Sequence, residues 1–266
     1  MFGITMAESG GDEFLAPGPN SFDFSEVPLF HLGGLAVTKP MVQLLLGALV
    51  VFAFFYAAAR RAELVPSRIQ FAGESAYGMV RNSIGRDIIG SHDFAKFVPY
   101  LVTVFFFILI NNAFATIPFI QFPTFSRASM AYALAALSWV IYNGVGIHKH
   151  GLLGYLKLQS VPSGVSPAMY PLLVPLEFFS NILVRPATLA LRLFANMFAG
   201  HLLLILFSTG GLFLLEYGGI GYVAGPLAWV LAIAISFLEL LVQFLQAYVF
   251  TLLNAMYISG ALADEH

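Results

Sequence analysis

Arg192 lies deep inside a long apolar segment, within the stretch RPATLALRLFANMFAGH that runs from Arg185 to His201. A guanidinium keeps its proton at any physiological pH. A charge at the centre of a membrane helix costs about 2.5 kcal/mol or more, so such a residue must meet water, an acid, or both, and is functional by default. The other polar residues of this segment are Glu177, Ser180, Asn181, Arg185, Thr188, Asn196 and His201. The next apolar segment carries Ser236, Glu239, Gln243, Gln246 and Asn254. Glu239, Gln243 and Gln246 are four and three residues apart and line one helix face. If the connection around Gly210 to Gly219 folds the two segments antiparallel, one register pairs Arg192 with Gln246, Asn196 with Gln243, and His201 with Glu239.

Arg192 and His201 are nine residues apart, which sets them about 180° around a straight helix and about 13 Å along it. They therefore serve two sides of the hairpin. A histidine changes charge within the physiological range, and beside a buried carboxylate it is suited to passing protons. The arginine is suited to the opposite, because it stays charged, attracts a carboxylate and stops protons from hopping past. Plainer readings stand beside these. Gln243 fits a hydrogen bond that glues helices together. Glu177 is eight residues from Arg185, farther than the three or four at which helical ion pairs form, so capping and functional roles both stay open for it.

The elements that must position these groups are membrane helices. Of the 266 residues, 59% are hydrophobic and 10% charged, against about 25% charged in soluble domains. The net charge of -2 comes with no basic stripe, which sets nucleic acid aside. Without cysteine there are no disulfides, thiolate metal sites, iron-sulfur clusters or cysteine nucleophiles. No metal is assigned: His148 and His150, beside Lys149 at the end of an apolar run, read as solvated membrane-surface residues. The first 38 residues hold no Lys or Arg and so lack the positive region of a signal peptide; the first span is expected to direct insertion itself.

Residues 1–38 read as an acidic, irregular external tail with a short amphipathic patch near Phe22 to Phe30. Pro40 to Ala59 is long enough for one span. The loop from Arg60 to Lys96 carries half of the chain's 12 Lys and Arg, which places it inside by the positive-inside bias. Within it Ile69, Ala72, Ala76, Val80 and Ile84 fit a helix lying on the membrane surface. Phe97 to Ile120, interrupted by Asn111, Asn112 and Pro118, is the second span, and its asparagines are expected to bond neighbouring helices. Ala128 to Ile147 is the third. The last two runs, about 40 and 44 residues from Ala168 and Ile220, would measure roughly 60 and 66 Å as helices, twice an upright crossing. The expected fold is a single all-α membrane domain over residues 1–266. It has about five membrane helices and a surface amphipathic helix, and the last two helices form a long, steeply inclined antiparallel hairpin over 168–263. An odd number of crossings puts the C-terminal tail inside.

At LRLFANMFAGH (Leu191 to His201) and FLELLVQFLQAYVF (Phe237 to Phe250) the chain resembles subunit a of the F-type ATP synthases. The likeness is close over the last 100 residues or so and looser through Asn111, Asn112 and Pro118. The resemblance implies that Arg192 is the stator arginine facing the proton-carrying carboxylates of a c-ring, with Asn196 its polar neighbour and Gln246 opposite. His201 and Glu239 fall at the half-channel positions of a histidine and an acid, here with the histidine on the first long helix and the acid on the last. Glu177 resembles the acid of the other half-channel. The implied partners are the c-ring, peripheral-stalk b-type subunits and the bilayer of a bacterial plasma membrane. No cofactor is implied, and the chain carries no GxxxxGK nucleotide loop. A secondary ion transporter is the alternative; it calls for internal symmetry and broken helices that the chain does not display. An intramembrane hydrolase using Ser236 with His201 lacks a nucleophile motif.

Overall fold

The computed structural model describes residues 30–32, 35–60, 63–117, 124–161 and 169–263. Most of the acidic tail, Pro118 and the C-terminal Asp264, Glu265 and His266 lie outside them. Strands β1 (Phe30–Leu32) and β2 (Leu35–Val37) form a small antiparallel ribbon where an irregular tail was expected. Helix α1 (Lys39–Ala59) opens with Pro40, whose missing N–H costs nothing in a first turn. Helix α2 (Arg68–Val80) is capped by Ser67, whose hydroxyl accepts from the Gln70 amide at 3.3 Å, and runs on as a π-helix over Arg81–Ile89. Then follow α3 (Phe94–Ala113), a 3-10 turn at Thr124–Ser126, α4 (Ala128–Ser160), α5 (Tyr170–Phe179), a π-helical segment (Ser180–Val184), α6 (Arg185–Tyr217) and α7 (Gly221–Leu262).

Among the described residues, five helices are long and apolar enough to cross a membrane: Lys39–Ala59, Phe94–Ala113, Ala128–Ser160, Tyr170–Tyr217 and Gly221–Leu262. The protein is an all-α membrane protein, as its composition and run lengths require. The boundaries differ from those expected in three places. Helix α3 stops at Ala113, short of Ile120. Helix α4 passes through His148 to His150 and bends at Gly151, whose φ of 73° few other residues adopt, before ending at Ser160. The expected connection from Gly210 to Gly219 is mostly helix. Backbone in lipid stays helical wherever it can, and at Gly211 α7 comes close: a Cβ there would lie 2.5 Å from Trp229 Nε1 and 3.2 Å from the Gly225 carbonyl. The turn itself is Gly218 to Ile220, with φ of 74° and 57° at its two glycines.

On α2 and its π-helical continuation the buried stripe is Gln70, Gly73, Val80 and Ile84, whereas Ile69 and Ala72 are exposed. The first turns of α2 are thus rotated by one residue from the apolar spacing, because Gly73 lets α2 rest on α1, with Ala58 Cβ 2.5 Å from where a Cβ would stand. The core lies between α3, α6 and α7, where Leu101, Phe105, Ile108, Leu189, Leu193, Met197, Ala247 and Phe250 are fully buried.

Candidate proton path

On α6, Leu189, Leu193, Met197 and His201 follow one another at four-residue spacing and all face inward. On α7 the inward stripe is polar: Glu239, Gln243, Gln246 and Asn254 are buried, while Phe237, Leu238, Leu241 and Leu245 are exposed. This inversion of the soluble pattern is the one that lipid favours, because polar groups there must find protein or water. His201 Nδ1 lies 3.7 Å from Glu239 Oε1, with side chains only 9% and 7% exposed. The separation is just beyond a hydrogen bond, so a small side-chain rotation brings the two into contact.

Next to this pair, Gln243 reaches α3. Its amide Nε2 donates to Thr116 Oγ1 at 3.1 Å, the Thr116 hydroxyl lies 3.2 Å from its Oε1, and Asn112 Nδ2 donates to its backbone carbonyl at 3.4 Å. Asn112 thus bonds a neighbouring helix as expected, whereas Asn111 donates to Phe107 O of its own helix at 2.8 Å. Thr116 is exposed. A polar seam therefore runs from the end of α3 through Gln243 to Glu239, one turn away on the same face of α7.

Asn196 donates to Gln246 Oε1 at 2.7 Å. The register expected from the sequence is thus met at His201 and Glu239, but Asn196 pairs with Gln246 rather than Gln243. Two rods that cross at an angle lose constant register over several turns, which is why one end of the pattern holds and the other shifts. Arg192 is exposed and, among the described residues, has neither hydrogen bond nor ion pair. Its position on the outside of α6, with His201 inside, is the division that their nine-residue separation requires.

Below Arg192 the surroundings are aromatic. The guanidinium of Arg185 stands over the Tyr257 ring at 5.3 Å, and that ring is 5.3 Å from Tyr142. Asn181 donates to the Gln159 carbonyl at 2.7 Å, and Tyr155 joins Asn143 and Gln159 in one network. Glu177, half-buried one turn before Asn181, has no ion pair with Arg185. The π-helical segment between them ends two residues before Pro186, which has no N–H to give to Ile182 O. Trp139 Nε1 donates to that carbonyl instead, at 2.9 Å.

Residues 41–259 match the family described as ATP synthase A chain. The chain belongs to that family. It is 64% identical over 265 residues to ATP synthase subunit a of a Nocardioides species, with 96% of each chain covered. It is 46% identical over 271 residues to the protein of the same name from Pseudarthrobacter chlorophenolicus, covering both chains fully. With that of Rhodococcus erythropolis it shares 42% over 265 residues, covering 99% of this chain and 96% of the other. Family membership and five apolar helices make this a multi-pass membrane protein of bacterial type.

Several residues of these networks escape sequence reasoning. Thr116 is one. Tyr100, whose hydroxyl donates to Asn254 Oδ1 at 3.1 Å and lies 3.0 Å from the Ser138 hydroxyl, is another, and it ties α3, α4 and α7 together. Trp139 is a third. Each is a single polar atom on an apolar helix, without a partner at helical spacing, and only the packing reveals what it meets.

Proposed function

We propose that this chain is the proton-conducting stator subunit of an F-type ATP synthase, in which two offset aqueous half-channels and Arg192 couple proton flow to rotation of a c-ring. The observation that carries this reading is the buried His201–Glu239 pair, on the opposite side of α6 from an exposed Arg192 that has neither hydrogen bond nor ion pair among the described residues. The N-terminus is outside and the C-terminus inside, from the basic loop between α1 and α3. The rods Tyr170–Tyr217 and Gly221–Leu262 have 48 and 42 residues. They are about 72 and 63 Å long, and fit a core of about 30 Å only when steeply inclined and shielded by protein.

A proton from outside follows the Thr116–Gln243 seam to the Glu239 carboxylate and passes to His201 Nδ1. From this pair the proton goes on to a ring carboxylate, which, now neutral, turns through lipid at low cost. After nearly a full turn the carboxylic acid meets the inner path beside Glu177 and gives up its proton. Arg192 then pairs with the bare carboxylate, and its fixed charge repels protons from crossing between the paths. Asn196 and Gln246 hold the wall behind it. At 100 mV each charge supplies about 2.3 kcal/mol, so several must pass for each ATP. Nucleotide chemistry takes place on other subunits, and b-type stalk subunits hold this one still against the turning ring.

The test is ATP synthesis driven by a proton gradient in inverted vesicles. Arg192→Ala in the assembled complex is expected to abolish it; retained coupled synthesis would overturn the assignment.

A further inference from the structure

Gln70, Gly73, Glu74 and Tyr77 share one face of α2 at helical spacing and, with Phe55 and Ala58 of α1, line a cleft of about 300 Å³, at the small end of the range for ligand sites. The two helices touch at Gly73, where a Cβ would lie 2.5 Å from Ala58 Cβ, and Phe55 and Tyr77 give the space beside that contact aromatic walls. Its polar wall is built in advance. Gln70 is buried with both amide atoms engaged: Oε1 accepts from the Glu63 amide at 3.2 Å, and Nε2 donates to the Glu63 carbonyl at 3.1 Å and to Glu74 Oε1 at 2.8 Å. The last of these bonds fixes the Glu74 carboxylate at the cleft, yet among the described residues no cation pairs with it.

The cleft lies where the 21-residue span α1 ends, which is the level of lipid headgroups. Arg60 follows directly, exposed and also without an ion pair among the described residues. Toward the middle of the span, Phe52 and Tyr56 continue the side of α1 that carries Phe55; both are exposed, and their rings stack at 5.9 Å. An uncompensated carboxylate beside two rings calls for an ammonium, which aromatic faces also attract. The exposed guanidinium calls for a phosphate, and the aromatic track for hydrocarbon. A soluble cation answers the first alone. Basic residues at a membrane surface on their own favour anionic lipids, but Glu74 repels a headgroup whose only charge is negative. We propose that the cleft between α1 and α2 binds a phospholipid whose headgroup carries a primary ammonium beside its phosphate. The ammonium meets Glu74 between the rings of Phe55 and Tyr77, the phosphate meets Arg60, and an acyl chain runs along Phe52 and Tyr56. This goes beyond the stator reading and needs only that the end of α1 lie at a membrane surface.

The probe is phosphatidylethanolamine with a diazirine near the glycerol end of one acyl chain, incorporated into vesicles that hold the assembled complex, with the matching phosphatidylglycerol as the comparison. After illumination, adducts on this chain are located by peptide mass spectrometry. They are expected on the peptide that contains Phe52 and Tyr56, about three- to fivefold more from the ethanolamine lipid than from the glycerol lipid. Glu74→Gln keeps an oxygen for the Gln70 amide and removes the charge, so it should bring ethanolamine-lipid labelling down to the level of the glycerol lipid. Equal labelling by the two lipids in the natural complex, or ethanolamine-lipid labelling that Glu74→Gln leaves unchanged, overturns the proposal. So does an absence of adducts there, the result expected if a helix of a partner subunit fills the cleft. Should Glu74→Gln assemble poorly, Tyr77→Leu removes one ring and should lower the same labelling about twofold; no decrease counts against the site. ATP synthesis in the same vesicles is a separate readout, so the lipid site and the stator path fail independently.

Discussion

Arg185 and Arg192 stand on the same side of α6, two turns and about 10 Å apart, and the charge of both reaches Tyr257, yet their contacts differ. Arg185 is half-buried, and its guanidinium rests on the face of Tyr257, which is itself backed by Tyr142. Ring electron density answers that charge permanently, and the cation has no reason to move. Arg192 is exposed, and the neighbouring amides of Asn196 and Gln246 bond each other rather than its guanidinium. A lone cation is tolerated in a bilayer only where water or an anion reaches it. The contrast shows that position in an apolar run does not define what an arginine does. The partners supplied by the other helices do, and Arg192 is the one that, among the described residues, has no hydrogen bond, ion pair or ring beneath it.

Charge-conserving substitutions press hardest on this difference. Arg192→Lys is expected to lower gradient-driven ATP synthesis on the order of 100-fold, because an ammonium offers a point charge where the guanidinium offers a planar fork to a carboxylate. Arg185→Lys should stay within about threefold of the natural rate, since an ammonium also sits well on a tyrosine face. Both are read in inverted vesicles at matched complex content. Equal losses at the two positions would dissolve the distinction between a seated and an unseated cation.

A smaller effect is expected from the carbonyl that Pro186 leaves unserved. Trp139→Phe removes the indole donor from Ile182 O, inside the π-helical segment that leads into Arg185. An unmatched carbonyl costs about 1–3 kcal/mol, so the detergent-solubilised complex should dissociate at a lower temperature, while the ratio of synthesis to proton flux stays the same. A change in that ratio would mean that the aromatic side of α6 shares in coupling.

Much of this is legible in the sequence because lipid is an unforgiving solvent. Five crossings follow from run length, and Arg192, Glu239 and His201 stand out because ionisable residues are rare among so many apolar ones. Their pairing follows from helical spacing in a hairpin, as far as spacing alone can carry it. It fails where geometry depends on crossing angle: Asn196 meets Gln246, not Gln243. It fails again where the partner is distant in sequence and carries one polar atom, as with Thr116 on Gln243, Tyr100 on Asn254, or Trp139 on Ile182. The ends of helices escape the sequence for a related reason. Gly210 and Gly211 resemble a turn, yet they lie within α6, and Gly211 is a small residue beside which α7 draws near.

The finest test of the contrast concerns Tyr257 alone. Tyr257→Leu keeps a shorter apolar side chain but removes the ring beneath Arg185, and a cation on an aromatic face is worth about 0.5–2 kcal/mol. The expected result is a small drop in the thermal stability of the complex, with coupled synthesis close to natural. Tyr257→Phe keeps the ring and loses only the hydroxyl, so it should restore stability if the face of the ring carries the interaction. Should phenylalanine prove as damaging as leucine, the hydroxyl is what holds Arg185 in place, and its charge would then be answered by a dipole that can turn away. Arg185 and Arg192 would in that case differ in degree, with both able to change partners as the ring goes by.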